Sequence, residues 1–186
     1  MGNRGQMHNP GKKIIRPYKL KAWLICLLQY KERHRKVMAP DRYTELFFLD
    51  EATAFAAGHR PCFECRRAVY NRFKTLWIKG NPRYKFSMAT SIKEIDEIIH
   101  DERMNADCSK KMYKANIKSL PEGTFISINN EAYLIAGDHL YLWSAAGYTK
   151  REAIGSDSKV NVLTPKSIVN TFRAGYVPQI NMPQTL

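Results

Sequence analysis

Apolar and polar positions in the first half of the chain predict two strands followed by a helix. The apolar run over residues 21–28 is typical of a buried strand, and residues 43–49, which follow a charged turn, predict a strand that returns beside it. Asp50 is a good N-cap for a short alanine-rich helix over residues 51–57, and Gly58 is placed to end it. We therefore predict a β-hairpin that leads into a short helix.

Two longer helices are predicted after the hairpin. Apolar residues recur at helical spacing from Cys65 to Ile78, which indicates an amphipathic helix. A second helix begins at Ser91, where Glu94 three residues later completes a capping box, and it runs to about Asn105. The first half is therefore a hairpin with two or three helices.

The second half alternates short β runs with tight turns, which predicts a small antiparallel sheet. Residues 110–119 are polar and lysine-rich and are interpreted as a linker. Thr164 as an N-cap and Gly175 past the end frame a final helix over residues 165–174. The predicted strands of this sheet cover residues 124–128, 132–136, 139–144 and 160–163.

The predicted fold class is α+β: a small module of hairpin and helices, followed by a small antiparallel β-sheet with a C-terminal helix. We divide the chain into a basic N-terminal arm (1–20), the hairpin and helix module (21–106) and the antiparallel β domain (120–186). The composition, 44% hydrophobic and 25% charged over 186 residues, is typical of a folded protein rather than a disordered one. The longest apolar run, Ala22 to Leu28, is far shorter than the roughly 20 residues that span a bilayer, so we expect a cytoplasmic protein without a membrane partner.

The formal charge of +13 is confined to the first half. Residues 1–86 contain 19 basic and 6 acidic residues, whereas residues 87–186 contain 11 of each. A basic half joined to a neutral half favours a polyanionic partner such as nucleic acid, and the alternative is the solvated surface of an ordinary basic protein. The candidate phosphate-binding residues are Arg33, Arg35, Lys36, Arg42, Arg60, Arg66, Arg67 and Lys74.

Cys62 and Cys65 form a Cys-x2-Cys pair that could bind one metal ion from a turn. The turn leads into a helix whose N-terminus stabilises negative charge on the two thiolates. A redox pair and two unreactive thiols are the alternatives, and the predicted elements lack the βαβ unit that a thioredoxin-like pair requires. Zn²⁺ is therefore the cofactor that the sequence favours.

The segment around these cysteines resembles the zinc-binding domain of Ada-type DNA repair proteins. The frame of that family is a strand with aromatic residues, an alanine-rich helix, Ala-Ala-Gly, an aromatic residue, Arg-Pro-Cys, two residues and Cys. Phe47-Phe48, Ala56-Ala57-Gly58, Arg60-Pro61-Cys62 and Cys65 fall into this frame, with His59 in the place of the aromatic residue. The resemblance covers about residues 26–77, and it implies zinc binding and a DNA partner rather than RNA.

The resemblance also implies two further ligands upstream, usually a Cys-x3-Cys pair. Counting back from Cys62 places one of them at or beside His34, and Cys26 is the only upstream thiol, so the predicted set is Cys26, His34, Cys62 and Cys65. Alternative ligands are His59, His100 and Cys108. Four protein ligands leave no open position, so we expect a structural zinc.

Three classes of function follow from these observations. The first is a zinc-dependent nucleic-acid-binding protein linked to DNA repair or processing. The second is an enzyme, either a metal-assisted hydrolase or nuclease that uses Glu45, His59 or an Asp96–His100 pair one helical turn apart, or an alkyl-transfer protein that acts through a zinc thiolate. No nucleophile or oxyanion donor accompanies that pair, so no catalytic residue is assigned. The third is a protein-interaction module that uses the neutral sheet.

Overall fold

A computed structural model describes residues 1–32, 36–155 and 157–182 and confirms the α+β fold class. Within these residues we number the helices α1 Glu51–Ala56, α2 Arg67–Gly80, α3 Ile92–Arg103 and α4 Lys166–Arg173. The strands are β1 Gly2–Asn3, β2 Leu24–Ile25, β3 Glu45–Leu46, β4 Arg60–Pro61, β5 Tyr113–Asn116, β6 Phe125–Ile128, β7 Glu131–Ala136, β8 His139–Ser144, β9 Gly147–Ala153 and β10 Lys159–Val162.

The first sheet has the strand order β3-β1-β2-β4, and each of its strands is only two residues long. β1 pairs antiparallel with both β2 and β3, whereas β4 runs parallel to β2. The two strands of the predicted hairpin therefore do not pair with each other, because residues from the predicted N-terminal arm lie between them. Gly2 permits this insertion, since a Cβ atom at this position would collide with the ring of Phe48.

All four helices begin and end within two residues of their predicted limits. Asp50 caps α1 by accepting a hydrogen bond from Thr53 N at 2.8 Å, as predicted. Gly58 follows α1 at a φ of +81°, a backbone conformation that glycine adopts without strain. Ser91 caps α3 by accepting from Lys93 N. α2 begins at Arg67 rather than Cys65, so both cysteines of the Cys-x2-Cys pair lie in the turn before it.

The second sheet is antiparallel, with the strand order β5-β10-β6-β7-β8-β9. β9 was not predicted, and β5 lies in the segment interpreted as a linker. Thr164 is not the N-cap of α4, because Pro165 occupies that position and the Thr164 hydroxyl instead accepts from Phe125 N at 2.9 Å. The hydroxyl therefore joins the start of α4 to strand β6.

The two sheets are joined through helices α1 and α4. Ile168 and Phe172 of α4 are buried against Phe55 and Trp77 of the first half, while Val169 packs into the core of the second sheet. Asp50 Oδ2 accepts a hydrogen bond from the Tyr148 hydroxyl at 2.6 Å, which ties the start of α1 to β9. Among the described residues, no helix has both the length and the apolar character needed to cross a membrane.

Candidate metal centre

Strands β2 and β4 bring Cys26 beside Cys62. The parallel register aligns Ile25 with Pro61, so the next residue on each strand is a cysteine. Cys62 N donates to Ile25 O at 3.0 Å, which fixes this alignment. The chain then turns, with Arg66 N bonded to Cys62 O at 3.1 Å, and this turn returns Cys65 to the same place. Local backbone pairing therefore positions all three thiols.

The three Sγ atoms of Cys26, Cys62 and Cys65 lie within 4.8 Å of one another. Tetrahedral zinc with Zn–S bonds near 2.3 Å separates its sulfur ligands by about 3.8 Å, so only a small contraction is needed. Leu27 N also donates a hydrogen bond to Cys65 Sγ at 3.4 Å, and this bond orients the sulfur. The three thiols are therefore close enough to hold a metal ion, and the predicted convergence of Cys26 on the pair is confirmed.

Hydrogen bonding and burial give the three thiols different pKa values. A hydrogen bond from the Cys26 thiol, supported by N–H groups of Cys65 and Glu64, lowers the pKa of Cys62 to about 5. The same bond and burial raise the pKa of Cys26, and burial raises the pKa of Cys65. Cys62 is therefore the first thiol to ionise, and a cation would favour loss of the remaining protons.

The fourth predicted ligand, His34, lies outside the described residues. The alternative ligands are engaged elsewhere: His59 Nε2 accepts from Arg4 Nε at 3.2 Å, and His100 Nδ1 lies 2.7 Å from an Nη of Arg103. Cys108 is exposed in a turn after α3 and does not belong to the group of three thiols.

A pocket of about 300 Å³ opens beside the three thiols. Alternate residues of the first sheet line it, because successive side chains of a strand point to opposite faces. Glu45 is buried in its wall and accepts a hydrogen bond from Met38 N at 2.8 Å. Other lining residues are Met1, Asn3, Leu24, Tyr30, Tyr43 and Phe47. The sequence pattern did not indicate Met1 or Asn3, because the pairing of β1 is non-local.

Two of the predicted phosphate-binding cations are buried. Arg60 is 4% exposed and forms a bidentate ion pair with Asp96, with N···O distances of 2.6 and 2.7 Å. Lys74 Nζ donates to the carbonyl oxygens of Met88 and Thr90 at 2.8 and 2.7 Å. These contacts remove Arg60 and Lys74 from the predicted nucleic-acid surface.

The other predicted cations differ in exposure. Arg66 is half-buried and pairs with Glu51 at 2.8 Å. Arg67 is exposed, and its guanidinium lies 3.9 Å from the ring centroid of Phe63. Lys36 and Arg42 are also exposed, whereas Arg33 and Arg35 lie outside the described residues.

The predicted acid–base pair of α3 does not form. Both carboxylate oxygens of Asp96 bind Arg60, so they do not orient the imidazole of His100. Burial, followed by the charge of Arg103, lowers the pKa of His100. Asp50 is fully engaged as a cap and as the acceptor for Tyr148 and Asn181.

No family model, no curated protein and no solved structure matches this chain. The resemblance to Ada-type zinc domains therefore stays a prediction that depends on the motif around Cys62 and Cys65.

Proposed function

We propose that the chain is a zinc protein that binds nucleic acid, with a thiolate-bound Zn²⁺ that stabilises the basic first half. The observation that carries this proposal is the convergence of Cys26, Cys62 and Cys65 at the start of α2. A link to DNA repair or processing, and DNA rather than RNA as the partner, come from the resemblance to Ada-type domains.

The choice of zinc depends on the donor atoms. Three cysteine sulfurs in a four-ligand site are typical of structural zinc, and soft thiolates exclude hard cations such as Mg²⁺ and Ca²⁺. With His34 the set becomes Cys3His, a common structural zinc combination. The four strands around the site are too short to be stable by themselves, which supports a stabilising role for the ion.

The nucleic-acid face is proposed beside the metal centre. Arg67 lies over the exposed ring of Phe63, and Lys31 Nζ lies 5.3 Å from the ring centroid of Tyr30. Cations paired with rings at a surface offer phosphate contacts together with base stacking, which is typical of proteins that bind single strands. Lys36 and Arg42 add exposed charge on the segment between β2 and β3.

The salt dependence of binding tests this face. Arg67→Ala is expected to weaken binding of unrelated oligonucleotides alike and to reduce the slope of log K against log salt by about 0.7–0.9, the value of one lost phosphate contact. Lys159→Ala, which removes an exposed cation from the second sheet, is the matched control and is expected to bind like the wild type. A zinc-loaded protein that binds neither DNA nor RNA at low salt would refute nucleic-acid binding and leave the zinc proposal intact.

The pocket favours one second candidate, a metal-assisted hydrolase with Glu45 as the general base. This candidate requires water as the fourth zinc ligand, whereas a structural zinc requires a protein ligand. X-ray absorption spectroscopy of the zinc-loaded wild type and of His34→Ala distinguishes them. A histidine signal that disappears in the variant supports structural zinc, and spectra with three sulfurs and one oxygen in both proteins support the hydrolase.

A further inference from the structure

A second cluster of polar residues lies outside the metal centre and contains three cations. Arg4 and Arg103 each place the guanidinium carbon 3.6 Å from the centroid of the Trp23 ring. The Trp23 ring packs on His59 with centroids 5.2 Å apart, and Arg4 Nε donates to His59 Nε2. Lys110 Nζ donates to Ala56 O at 2.6 Å, near the Gly58 carbonyl that Arg103 binds. We name Arg4, Trp23, His59, Arg103 and Lys110 the cation cluster.

The cation cluster holds positive charge without a matching carboxylate. Among the described residues, no carboxylate hydrogen-bonds to Arg4, Arg103 or Lys110, and Asp96, whose charge acts on Arg103, is bound by Arg60. Burial and the neighbouring cations lower the pKa of Arg103 to about 9 and that of Lys110 to about 7. Burial of like charges without a counter-charge is costly and is typical of sites that receive a ligand of opposite charge.

Three buried N–H groups in the cation cluster have no hydrogen-bond partner in the described part of the chain. These are Trp23 Nε1, Arg103 Nε and His59 Nδ1, on residues that are 4%, 3% and 0% exposed. His59 Nδ1 carries the proton because Nε2 accepts from Arg4. Unpartnered buried N–H groups are rare, and each one costs free energy that an acceptor would recover. His59 is an acceptor toward Arg4, and burial and the Arg4 charge lower its pKa well below the usual range, so it adds no charge of its own.

We propose that the cation cluster binds a phosphate group, either as the free ion or at the end of a phosphorylated ligand. A phosphate provides several acceptor oxygens and about two negative charges, so it offsets most of the positive charge of the three cations and can accept from unpartnered N–H groups. Arginine and lysine together are the usual ligands of such an anion. The proposal goes beyond the nucleic-acid face, because none of its five residues belongs to that face.

The route to the cation cluster is basic. Arg4 and Lys110 are half-buried and connect the buried members with the surface. Tyr18 packs on His100 and Trp23, with ring centroids 4.9 and 6.1 Å apart, and this contact holds an exposed segment beside the cation cluster. That segment carries the exposed cations Lys12, Lys13, Arg16 and Lys19 in addition to Lys21, which pairs with Glu97. Such a charge distribution draws anions toward the cation cluster.

Thermal unfolding of the zinc-loaded full chain tests the proposal. Inorganic phosphate, added at an ionic strength held constant with chloride, is expected to raise the Tm of the wild type as its concentration increases. In Lys110→Met and Arg4→Met the affinity for phosphate is expected to fall about tenfold or more, because each variant loses one charged contact. Lys111→Met, the exposed neighbour of Lys110, is the matched control and is expected to keep the full rise in Tm. Zinc content and near-ultraviolet circular dichroism show that each variant is folded.

A second measurement, the binding of oligonucleotides with and without a 5′-phosphate, distinguishes the two sources of phosphate. A rise in Tm with inorganic phosphate supports the free ion, and tighter binding of a 5′-phosphorylated oligonucleotide than of its 5′-hydroxyl form supports a phosphate at the end of a strand. The proposal is overturned if neither probe gives a response or if Lys111→Met weakens the response as much as Lys110→Met. In that case Lys110 and Arg103 serve only to bind backbone carbonyl oxygens such as those of Ala56 and Gly58, and Arg4 serves only to hold His59. Because the first measurement uses no nucleic acid, its outcome is separate from that of the proposed function.

Discussion

Replacement of Lys110 by methionine is expected to stabilise the protein. The ammonium group is buried near Arg103 and Arg4, and burial followed by these charges lowers its pKa from 10.5 to about 7. This change in pKa corresponds to a cost of about 5 kcal/mol for the charged form. The hydrogen bond to Ala56 O, worth about 1.5–3 kcal/mol for a charged donor, is lost in Lys110→Met. The net gain is therefore about 2–3.5 kcal/mol at pH 6.

The stabilisation of the protein by Lys110→Met is expected to decrease as the pH rises. Below pH 7 Lys110 is charged in both the folded and the unfolded states, so the full cost of its burial destabilises the wild type. Between pH 7 and 10.5 the folded protein releases this proton before the unfolded chain does, so the wild type becomes more stable relative to the variant. Since the wild type regains about 1.4 kcal/mol per pH unit above pH 7, the advantage of Lys110→Met is expected to vanish near pH 9 and to be reversed by about 1 kcal/mol at pH 10.

Urea unfolding in a phosphate-free buffer, with zinc present, measures this difference at pH 6 and pH 10. Lys111→Met removes the same charge from an exposed position and is expected to show no difference between the two pH values. If Lys110→Met is no more stable than the wild type at pH 6, the cation cluster does not carry an uncompensated buried charge at Lys110.

Two other substitutions test the metal centre and the contact between the halves of the chain. Cys62→Ser is expected to abolish stoichiometric zinc binding and to lower the Tm by about 10 °C or more, as measured by elemental analysis and calorimetry, whereas the exposed Cys108→Ser changes neither. Gly80→Ala is expected to cost about 1–3 kcal/mol in urea unfolding, because its Cβ would collide with the backbone oxygen of Asn170 in α4. Gly155→Ala, with open space around it, is the control, and equal stabilities of the two variants would contradict this contact.

The parts of the fold that local chemistry determines could be predicted from the sequence. A cap binds backbone groups two or three residues away, so Asp50 and Ser91 indicated the starts of their helices. The Cys-x2-Cys spacing likewise indicated a turn that brings Cys62 and Cys65 together. The convergence of Cys26 depends on the pairing of β2 with β4, and it was predicted only because the resemblance to Ada-type domains implies upstream ligands and Cys26 is the only upstream thiol.

Elements that form by non-local pairing were not predictable in the same way. β1 consists of two residues with no apolar pattern, and only its hydrogen bonds to β2 and β3 make it a strand. Charge patterning also does not distinguish a solvated cation from a buried one. Arg60 was counted with the surface cations because its partner, Asp96, is 36 residues away in the sequence. For the same reason the contact between Arg4 and Trp23 could not be predicted from the sequence.

The metal centre and the cation cluster lie on opposite faces of the same short strands. Trp23 and Cys26 are three residues apart on the β2 segment, and so are His59 and Cys62 on the β4 segment. An odd spacing directs the two members of each pair to opposite faces of a sheet. Since two-residue strands have little stability of their own, the ion on one face is expected to hold the register that forms the other face.

Removal of zinc is therefore expected to abolish phosphate binding. Because the proposed zinc site and the proposed phosphate site both depend on the register of β2 and β4, a chelator that removes bound zinc is expected also to remove the rise in Tm caused by phosphate. Lys110→Met, in contrast, should keep one zinc per chain, since Lys110 lies outside these strands and contacts Ala56 at the end of α1. Calorimetry with and without chelator, in the presence and absence of phosphate, measures both effects. A zinc-free protein that keeps the full response to phosphate would show that pairing of the strands alone maintains the register, and that the two faces are independent.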